Sequence, residues 1–590
     1  MVLRDKWITC HDFVVDLSFQ LKLYSLRFFI STFLIFSSFC SPTGIGIDDM
    51  FLMVAAWRRT SVQQPTKERM KEAFSNAAMS ITITSITDAL AFGIGATTNF
   101  QSVRLFCAYT GVCVMFDYFY QITFFAACMA LMGYREEKNR HALTCRKVLP
   151  KDQAPSVAYS VFCAGGSSQP PSLSSDALPS TAKDSPEEDD NGENSFMLFF
   201  KKYYGPFITH PVMAVITVFL YIIYLGVIIW GVATLVEGLE IQRIAPDGSM
   251  SKQFFTQYFD GNFRSFGTPV QIIVTEEVQY SNEKVEESLN EVLMELENSK
   301  YFYGENFTVS WLRDYRQYLK LRDAVLGTSL SEGPISEDLF VRILEEEFLK
   351  IREYKKYIPD IVIQNNTIRS SRFHVLPRDT ETTNRQRFMA VKARNTAAAS
   401  DIPLIAFNEL FFLIDQYIEI LPSTLQNVGI ALGTMFIVSL VLIPNLVSAL
   451  LVTVSLISIV GGVVGFMSHW DIPLDSISMT NLIICIGFSV DFSAHITYAF
   501  VSSSGKTPRG RAITALHAVG MPITQAALST ILACFLLEFA SSYLFRVFFR
   551  TMFLVTGLGA LHGLVFLPVF LMLLVPGQKE PDPQLLGDKY

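Results

Sequence analysis

Nine apolar segments, each long enough to cross a lipid bilayer, constrain the fold of this chain more than any other feature. A membrane-spanning helix needs about 20 mostly apolar residues. Half of the 590 residues are apolar and only 17% are charged, whereas soluble domains average about 25% charge. The sequence therefore predicts a polytopic α-helical membrane protein, with spans near 36–57, 79–99, 103–132, 207–234, 426–444, 447–468, 477–500, 520–540 and 550–575.

Loop charge predicts the orientation of these spans, because basic loops stay on the cytoplasmic side. Basic residues cluster in 58–72, 134–205 and 501–518, whereas the turn at 469–475 has two acids and no Lys or Arg. Alternating spans then place 235–425 outside the cell or in a lumen, and the C-terminus in the cytoplasm.

Segment 235–425 has the pattern of a folded α+β domain. Its strand-like segments, 269–275 and 361–364, are accompanied by helical apolar stripes over 285–296 and 339–351, and strands mixed with helices favour a sheet covered by helices. The segment contains no cysteine, so we expect it to fold without internal disulfides.

Two N-x-S/T sequons lie in that segment, at Asn306 and Asn365. They predict glycosylation on the extracellular or lumenal face. The alternative is that such sequons occur by chance in any long polar segment.

An internal repeat relates the two halves of the chain. A shift of 442 residues aligns 69–106 with 511–548, and a shift of 443 aligns Gly44–Asp48 with Gly487–Asp491. Both copies run in the same direction across the membrane, which is typical of a parallel transporter repeat.

Four ionisable residues within the spans are the candidate functional group. An Asp at the membrane centre costs roughly 2.5–3.5 kcal/mol on insertion scales. Asp48 and Asp49 lie in one copy of the repeat, and Asp491 lies in the other with His495 one turn later on the same helical face. We interpret these residues as a proton or cation relay; the alternative is a polar contact that only fixes helix packing.

Small and further acidic residues accompany the relay. Gly44 and Gly487 precede the acids by one turn and would let the two helices approach closely. For Asp88, Asp117 and Glu538, which also lie in spans, the favoured interpretation is polar packing or a position at a helix end.

Other classes of protein lack sequence support. The chain has no H-E-x-x-H, P-loop or G-x-S-x-G motif, so we expect neither an enzyme nor a bound cofactor or catalytic metal. A net charge of −8 argues against a nucleic-acid partner.

Four segments resemble the Patched-related branch of the RND transporter superfamily, which contains a sterol-sensing region: Gly44–Phe51, Thr84–Phe92, Glu237–Glu240 and Gly487–His495. The resemblance covers roughly 44–133 and 196–575. It implies two six-helix halves, each with a ferredoxin-like external domain. The chain would then lack the first three helices and the first external domain, so we expect little ion-coupled activity from the chain alone.

The resemblance implies three possible functions. The first is an ion-coupled transporter of a membrane lipid or sterol, in which Asp48, Asp49 and Asp491 match the central acids of the family and a proton or sodium is the coupling ion. The second is a non-transporting sterol-sensing receptor or signalling protein. The third is a truncated splice form or gene model without activity of its own. We expect a plasma-membrane protein, with the endoplasmic reticulum as the alternative.

These expectations combine into an order of domains along the chain. They are a divergent N-terminus (1–35), a partial sterol-sensing region of three transmembrane helices (36–133), a disordered cytoplasmic loop (134–205), a transmembrane helix (206–234), an extracellular or lumenal α+β domain (235–425), a five-helix transmembrane bundle (426–575) and a cytoplasmic tail (576–590).

Overall fold

The computed structural model divides the chain into a helical unit and a sheet unit. The helical unit contains the chain up to Val236, Ser423–Ala540 and the chain from Leu544, whereas the sheet unit contains Glu237–Pro422 and Ser541–Tyr543. The structure describes residues 46–149 and 195–576, apart from 62–63, 142–143, 145, 239–242, 244, 255, 258–266, 331–334, 381, 444, 504 and 506.

Eight helices within the described ranges are long and apolar enough to cross a membrane. Residues 46–59 form a further helix, α1, which covers the described part of the first predicted span, 36–57; residues 36–45 of that span lie outside the described residues. The other eight predicted spans each coincide with a helix, which confirms the multi-pass helical fold. The helices are α2 (Thr66–Gly95), α3 (Gln101–Glu137), α4 (Pro211–Ala233) and, beyond four helices of the sheet unit, α9 (Phe411–Leu442), α10 (Leu446–His469), α11 (Ser476–Ser502), α12 (Pro508–Phe539) and α13 (Tyr543–Leu574).

Two helices begin well before the apolar segments that predict them. α2 starts at Thr66 after Pro65, and α12 starts at Pro508 after Thr507, whose side chain accepts a hydrogen bond from the Gly510 amide at 3.1 Å. Capping residues determine where a helix starts, whereas hydropathy detects only where it becomes apolar. Much of 58–72 and of 501–518 is therefore helical.

Helix α11 lies at the centre of the helical unit. Every residue from Ser478 to Thr497 is buried, and the helix packs against α2, α10 and α12. A capping box between Asp475 and Ser478 fixes its first turn. A helix that is buried on all sides carries no lipid-facing surface, so its polar side chains all lie inside protein.

Helices α4 and α10 approach at glycines. A Cβ on Gly465 would lie 2.9 Å from the carbonyl oxygen of Ile228, and a Cβ on Gly231 would lie 2.8 Å from the Cα of Gly465. Small residues allow this backbone contact between membrane helices.

A satisfied polar network joins the same two helices to α13. The Tyr224 hydroxyl donates to the Ser458 carbonyl at 2.9 Å. The buried His562 ring bonds through Nδ1 to the Leu558 carbonyl at 2.8 Å and through Nε2 to the Ser458 hydroxyl at 3.0 Å. Since both ring nitrogens have partners, this histidine has a structural role in packing.

The sheet unit has a ferredoxin-like fold, as predicted. Its four antiparallel strands have the spatial order β2-β3-β1-β4, and the chain order of one strand, helices, a hairpin, a helix and a last strand is the split β-α-β arrangement. The elements are β1 (Val270–Val274), α5 (Glu283–Glu297), α6 (Trp311–Leu326), α7 (Glu337–Glu346), β2 (Ile361–Gln364), β3 (Thr367–Val375), α8 (Thr383–Ala398) and β4 (Leu404–Phe407).

Aromatic side chains fill the core of the sheet unit. Trp311 stacks on Phe373 of β3, and Tyr315 meets Phe340 and Phe348 edge to face. All five are fully buried. The Tyr315 hydroxyl donates to the Phe340 carbonyl at 2.8 Å, so its polar tip is satisfied. Apolar burial of this extent stabilises a domain without disulfides.

Both predicted glycosylation sites are exposed in the sheet unit. Asn306 lies in a short turn, Glu305–Phe307. Asn365 and Asn366 form the hairpin turn between β2 and β3 with φ of 51° and 62°, the left-handed values that a two-residue type I′ turn requires. Glycosylation itself stays a prediction.

Candidate intramembrane acid site

The three acids that the sequence predicts are all buried in helices of the helical unit. Asp48 and Asp49 on α1 are 5% and 4% exposed, and Asp491 on α11 is 2% exposed. Acids at such positions rarely persist in a membrane without a partner or a function.

A polar stripe on α2 connects α1 to α11. Ser80, Thr84 and Asp88 recur every four residues and therefore share one helical face. The Ser80 oxygen lies 2.6 Å from Nδ1 of His495 on α11, and the Thr84 hydroxyl donates to Oδ1 of Asp49 on α1 at 3.3 Å. The stripe thus links both predicted halves of the relay.

Of the two glycines that the repeat identifies, Gly487 lies in the described structure and Gly44 does not. Gly487 faces α2, where a Cβ would lie 2.6 Å from Oδ1 of Asp88; it makes room for a carboxylate. Gly44 lies outside the described residues. Gly46 does similar work on α1, because a Cβ there would lie 2.8 Å from Cγ of Asp117 on α3.

Several polar atoms of this cluster have no hydrogen-bond partner. They are Oδ1 of Asp48, both carboxylate oxygens of Asp88, Oδ1 of Asp491 and Nε2 of His495. A buried polar atom without a partner costs about 1–3 kcal/mol. Both ring nitrogens of His562 have partners, whereas the atoms of this cluster leave positions that a proton, a cation or water could fill.

The cluster also concentrates negative charge. Asp88 is acted on electrostatically by Asp491, Asp49, Asp48 and Asp117. Uncompensated buried charge is strongly destabilising, so protons or a cation must neutralise part of the cluster. Within the described ranges, no three His, Cys, Asp or Glu side chains are arranged to hold a metal ion.

A cavity of about 290 Å³ leads to this cluster between α1, α2, α11 and α12. Ser80 and His495 line one part of it, and Arg59, Ser502 and Thr514 line another. Residues 59 and 502 lie at the helix ends that loop charge assigns to the cytoplasm. The cavity therefore extends from that end of the helices to Ser80 and His495.

Asp88 is fully buried and lies in the interior of α2, not at a helix end. The polar-packing interpretation of this residue stays a prediction. The spacing of Ser80, Thr84 and Asp88 is the signal that places Asp88 in the polar stripe. Glu538, by contrast, forms an ion pair with Arg550 at 2.6 Å, a polar contact of the expected kind.

The family model of the Patched SSD, the sterol-sensing domain, matches residues 23–131, which include α1, α2 and most of α3. Patched-related protein 9 of Caenorhabditis elegans is 29% identical over 94% of this chain and 59% of its own length. The NPC intracellular cholesterol transporter 1 homolog 1b of Drosophila melanogaster is 25% identical over 91% of this chain and 45% of its own length.

The chain thus spans about half the length of the curated relatives it matches. Among solved structures, the hedgehog release protein Disp from the water bear Hypsibius dujardini shares the fold, with a TM-score of 0.60, 13% identity and coverage of 94% of this chain and 65% of the other. Sequence relatives, family model and fold agree. Over most of its length the chain is similar to a Patched-related protein and to an NPC intracellular cholesterol transporter homolog, and its residues 23–131 match the Patched sterol-sensing domain.

Proposed function

We propose that this chain binds a sterol or a similar membrane lipid and couples that binding to a proton or sodium ion held at the acid site. The observation that carries the proposal is the buried group of Asp48, Asp88 and Asp491, each of which has at least one carboxylate oxygen without a partner. The sequence predicts the first and last of these as relay residues, and the α2 stripe adds Asp88.

The relatives support the chemical class of the ligand. The Drosophila relative is named a cholesterol transporter, and the match to the Patched SSD covers the helices that carry Asp48, Asp49 and Asp88. A sterol-binding region and an acid site built from the same helices give a direct means of coupling, because a ligand that shifts α1 or α2 changes the surroundings of the acids.

The proposed cycle needs two packings of the same helices. When a proton or sodium ion neutralises Asp491 and its neighbours, α1, α2 and α11 pack closely. When the cation leaves through the cavity beside His495, mutual repulsion of Asp48, Asp88 and Asp491 favours a looser packing. A ligand that prefers one packing then changes the protein's affinity for the cation. By reciprocity, the cation changes the protein's affinity for the ligand by the same factor.

The experiment measures that reciprocity at equilibrium. Sterol affinity of the purified full chain is titrated at several sodium concentrations and pH values, with constant ionic strength. We expect a change of about 5–150-fold, the usual range of coupling between two sites. Asp491→Asn should remove the dependence and keep sterol binding, because Asn has similar size but carries no exchangeable charge. Asp471→Asn, in an exposed turn, is the matched control.

The receptor alternative corresponds to a distinct result. Sterol binding that is independent of both sodium and pH in the unmodified chain would favour a non-transporting sensor. We also propose that a full-length relative transports the lipid and that this chain lies in the plasma membrane. An imposed proton or sodium gradient across vesicles and fractionation of cell membranes test them.

A further inference from the structure

A second cavity, which shares no lining residue with the cavity beside His495, opens between α4 and the end of α13. It has a volume of about 620 Å³ and an apolar lining. Val215, Phe219 and Ile222 of α4 lie on one side, and Met572 and Leu573 of α13 lie on the other. Most of these side chains are exposed, so this groove faces the surroundings of the helical unit.

One cation closes the end of this groove. Arg509, in the first turn of α12, lines it together with Thr209. Its Nε donates to the Thr209 hydroxyl at 3.3 Å and its Nη2 approaches the Pro206 carbonyl at 3.5 Å. Among the described residues, no acid forms an ion pair with Arg509. The guanidinium therefore keeps donors available for an anion.

The placement of Arg509 is electrostatically unfavourable for the helix. The N-terminus of a helix carries partial positive charge and favours acids. Arg511, two residues further, is buried and donates to the Phe500 and Val501 carbonyls. Arg509 has no such anchor beyond its two long contacts, so an anionic ligand at this place would compensate both the side chain and the helix end.

The length of the groove fits a lipid of one leaflet. Its α4 lining runs from Pro211 to Ile222, which is about 16 Å at 1.5 Å per residue. The hydrocarbon core of a bilayer is about 30 Å thick, so the groove spans about half of it. Arg509 and Thr209 lie at the end near the helix termini, where a headgroup would lie. Lys201 and Lys202, shortly before α4, increase the positive charge of this chain segment.

We propose that this groove binds an anionic phospholipid of the leaflet next to the basic loops. An acyl chain lies along Val215, Phe219 and Ile222, and the phosphate accepts hydrogen bonds from Arg509 and Thr209. Charge complementarity favours this occupant over a sterol, whose hydroxyl would leave the guanidinium without a counter-charge. The site is separate from the acid site and does not depend on the function proposed for it.

The test uses the full chain in nanodiscs of phosphatidylcholine with a minor fraction of phosphatidylserine that carries a photoreactive acyl chain. Peptide mapping identifies the labelled residues, and phosphatidylcholine with the same photoreactive chain gives the neutral reference. We expect phosphatidylserine to label 211–222 preferentially. Arg509→Gln should lower that preference about fivefold, the effect of one basic side chain at an anionic membrane surface, and Arg509→Lys should retain most of it.

Two further variants exclude indirect effects. Arg104→Gln removes an exposed arginine near the start of α3 and should leave the labelling unchanged. Val215→Trp fills the groove from an exposed position and should abolish labelling of 211–222 by either lipid, with Arg509 intact. The proposal is overturned if both lipids label equally, if Arg509→Gln has no effect, if Arg104→Gln has the same effect, if labelling survives Val215→Trp, or if cholesterol displaces the phospholipid.

Discussion

Ser80 and His495 are 415 residues apart in the sequence, yet the Ser80 oxygen and Nδ1 of His495 are 2.6 Å apart. This bond holds the imidazole against α2 and leaves Nε2 without a partner. Both residues line the cavity. The pair therefore joins the two copies of the repeat beside the cavity.

Removal of this histidine should weaken the cation dependence of sterol binding and leave part of it. His495→Gln keeps a hydrogen-bonding side chain but cannot exchange a proton, while the carboxylates remain. We expect a smaller pH dependence of sterol affinity than in the unmodified chain, measured by equilibrium titration. Thr82→Ala is the control on α2. The Thr82 hydroxyl donates to the Ala78 carbonyl of the same helix and lies 3.2 Å from the Tyr118 hydroxyl of α3, so it does not contact His495 or the acids. An unchanged pH dependence in His495→Gln would show that His495 only packs.

The steric role of Gly487 gives a second prediction. A Cβ there would lie 2.6 Å from Oδ1 of Asp88, so Gly487→Ala must displace the carboxylate or the helix. We expect a loss of about 1–3 kcal/mol in the free energy of unfolding, as for other overpacked interiors, and a reduced cation dependence. Thermal unfolding with and without sodium measures both.

A double variant distinguishes steric conflict from general damage to α11. Asp88→Ser shortens the opposing side chain, so it should recover most of the stability lost in Gly487→Ala, a coupling that a double-mutant cycle measures. Gly429→Ala, where nothing lies within 4 Å of the added Cβ, should be neutral. Additive losses in the double variant would refute the close contact.

The sequence predicts the acid site only in part, and the reasons are physical. Asp491 is identified because the repeat aligns it with Asp48 and because an acid in an apolar segment is costly. Asp88 lies in an equally apolar segment, but a single acid does not show which neighbouring helix its side chain faces. Only the contact of α2 with α11 shows that its stripe faces the relay. Such contacts between distant segments depend on tertiary packing, which local pattern does not contain.

The same limit applies to the sheet unit. β1, β2, α5 and α7 have alternating or striped apolar residues and are predicted nearly at their observed positions. α8 does not show this pattern, because its buried positions are mostly alanines among polar residues, and the sequence interpretation contains no element there. Its small side chains are explained by its packing against β4.

An ion pair on the sheet should make the unit sensitive to acid. Asp360 accepts hydrogen bonds from Nε of Arg372 at 2.7 Å and from His374 at 3.0 Å. Burial alone would raise the pKa of Asp360, but the hydrogen bonds from His374 and Arg372 outweigh it and hold the pKa below the usual value. A group with a lowered pKa in the folded state stabilises above its unfolded pKa, about 3.9 for Asp. That stabilisation is lost as the pH falls through the folded value.

Asp360→Asn should therefore destabilise the sheet unit at neutral pH by about 1–3 kcal/mol, the range for charged hydrogen bonds, and flatten its stability profile below about pH 4. Hydrogen exchange of the β3 amides in the full chain, corrected for the intrinsic effect of pH, measures both. Asp379→Asn, in an exposed pair with Arg385, should change stability little. An identical acid profile in Asp360→Asn would contradict the assignment.

Glycosylation of the two exposed asparagines is the fourth prediction. Treatment of membranes with an N-glycosidase should increase the gel mobility of the unmodified chain. Asn365→Gly should remove one glycan and keep the hairpin, because Gly adopts the positive φ of this turn freely. Asn306→Gln should remove the other. If the treated and untreated chains have the same gel mobility, the sequons no longer support the predicted orientation of this unit.

The last prediction concerns Asp88, for which polar packing and membership of the acid site are the two competing interpretations. If Asp88 only packs helices, Asp88→Asn should bind sterol with the same sodium and pH dependence as the unmodified chain, since Asn fills the same space. If Asp88 belongs to the acid site, the neutral amide removes one of the charges that the cation compensates, and that dependence should fall by a factor comparable to Asp491→Asn. Asp117→Asn should have a smaller effect, because Asp117 of α3, which lies beside Gly46 of α1, is less buried than Asp88. Equal, undiminished cation dependence in both variants would confine the site to α1 and α11.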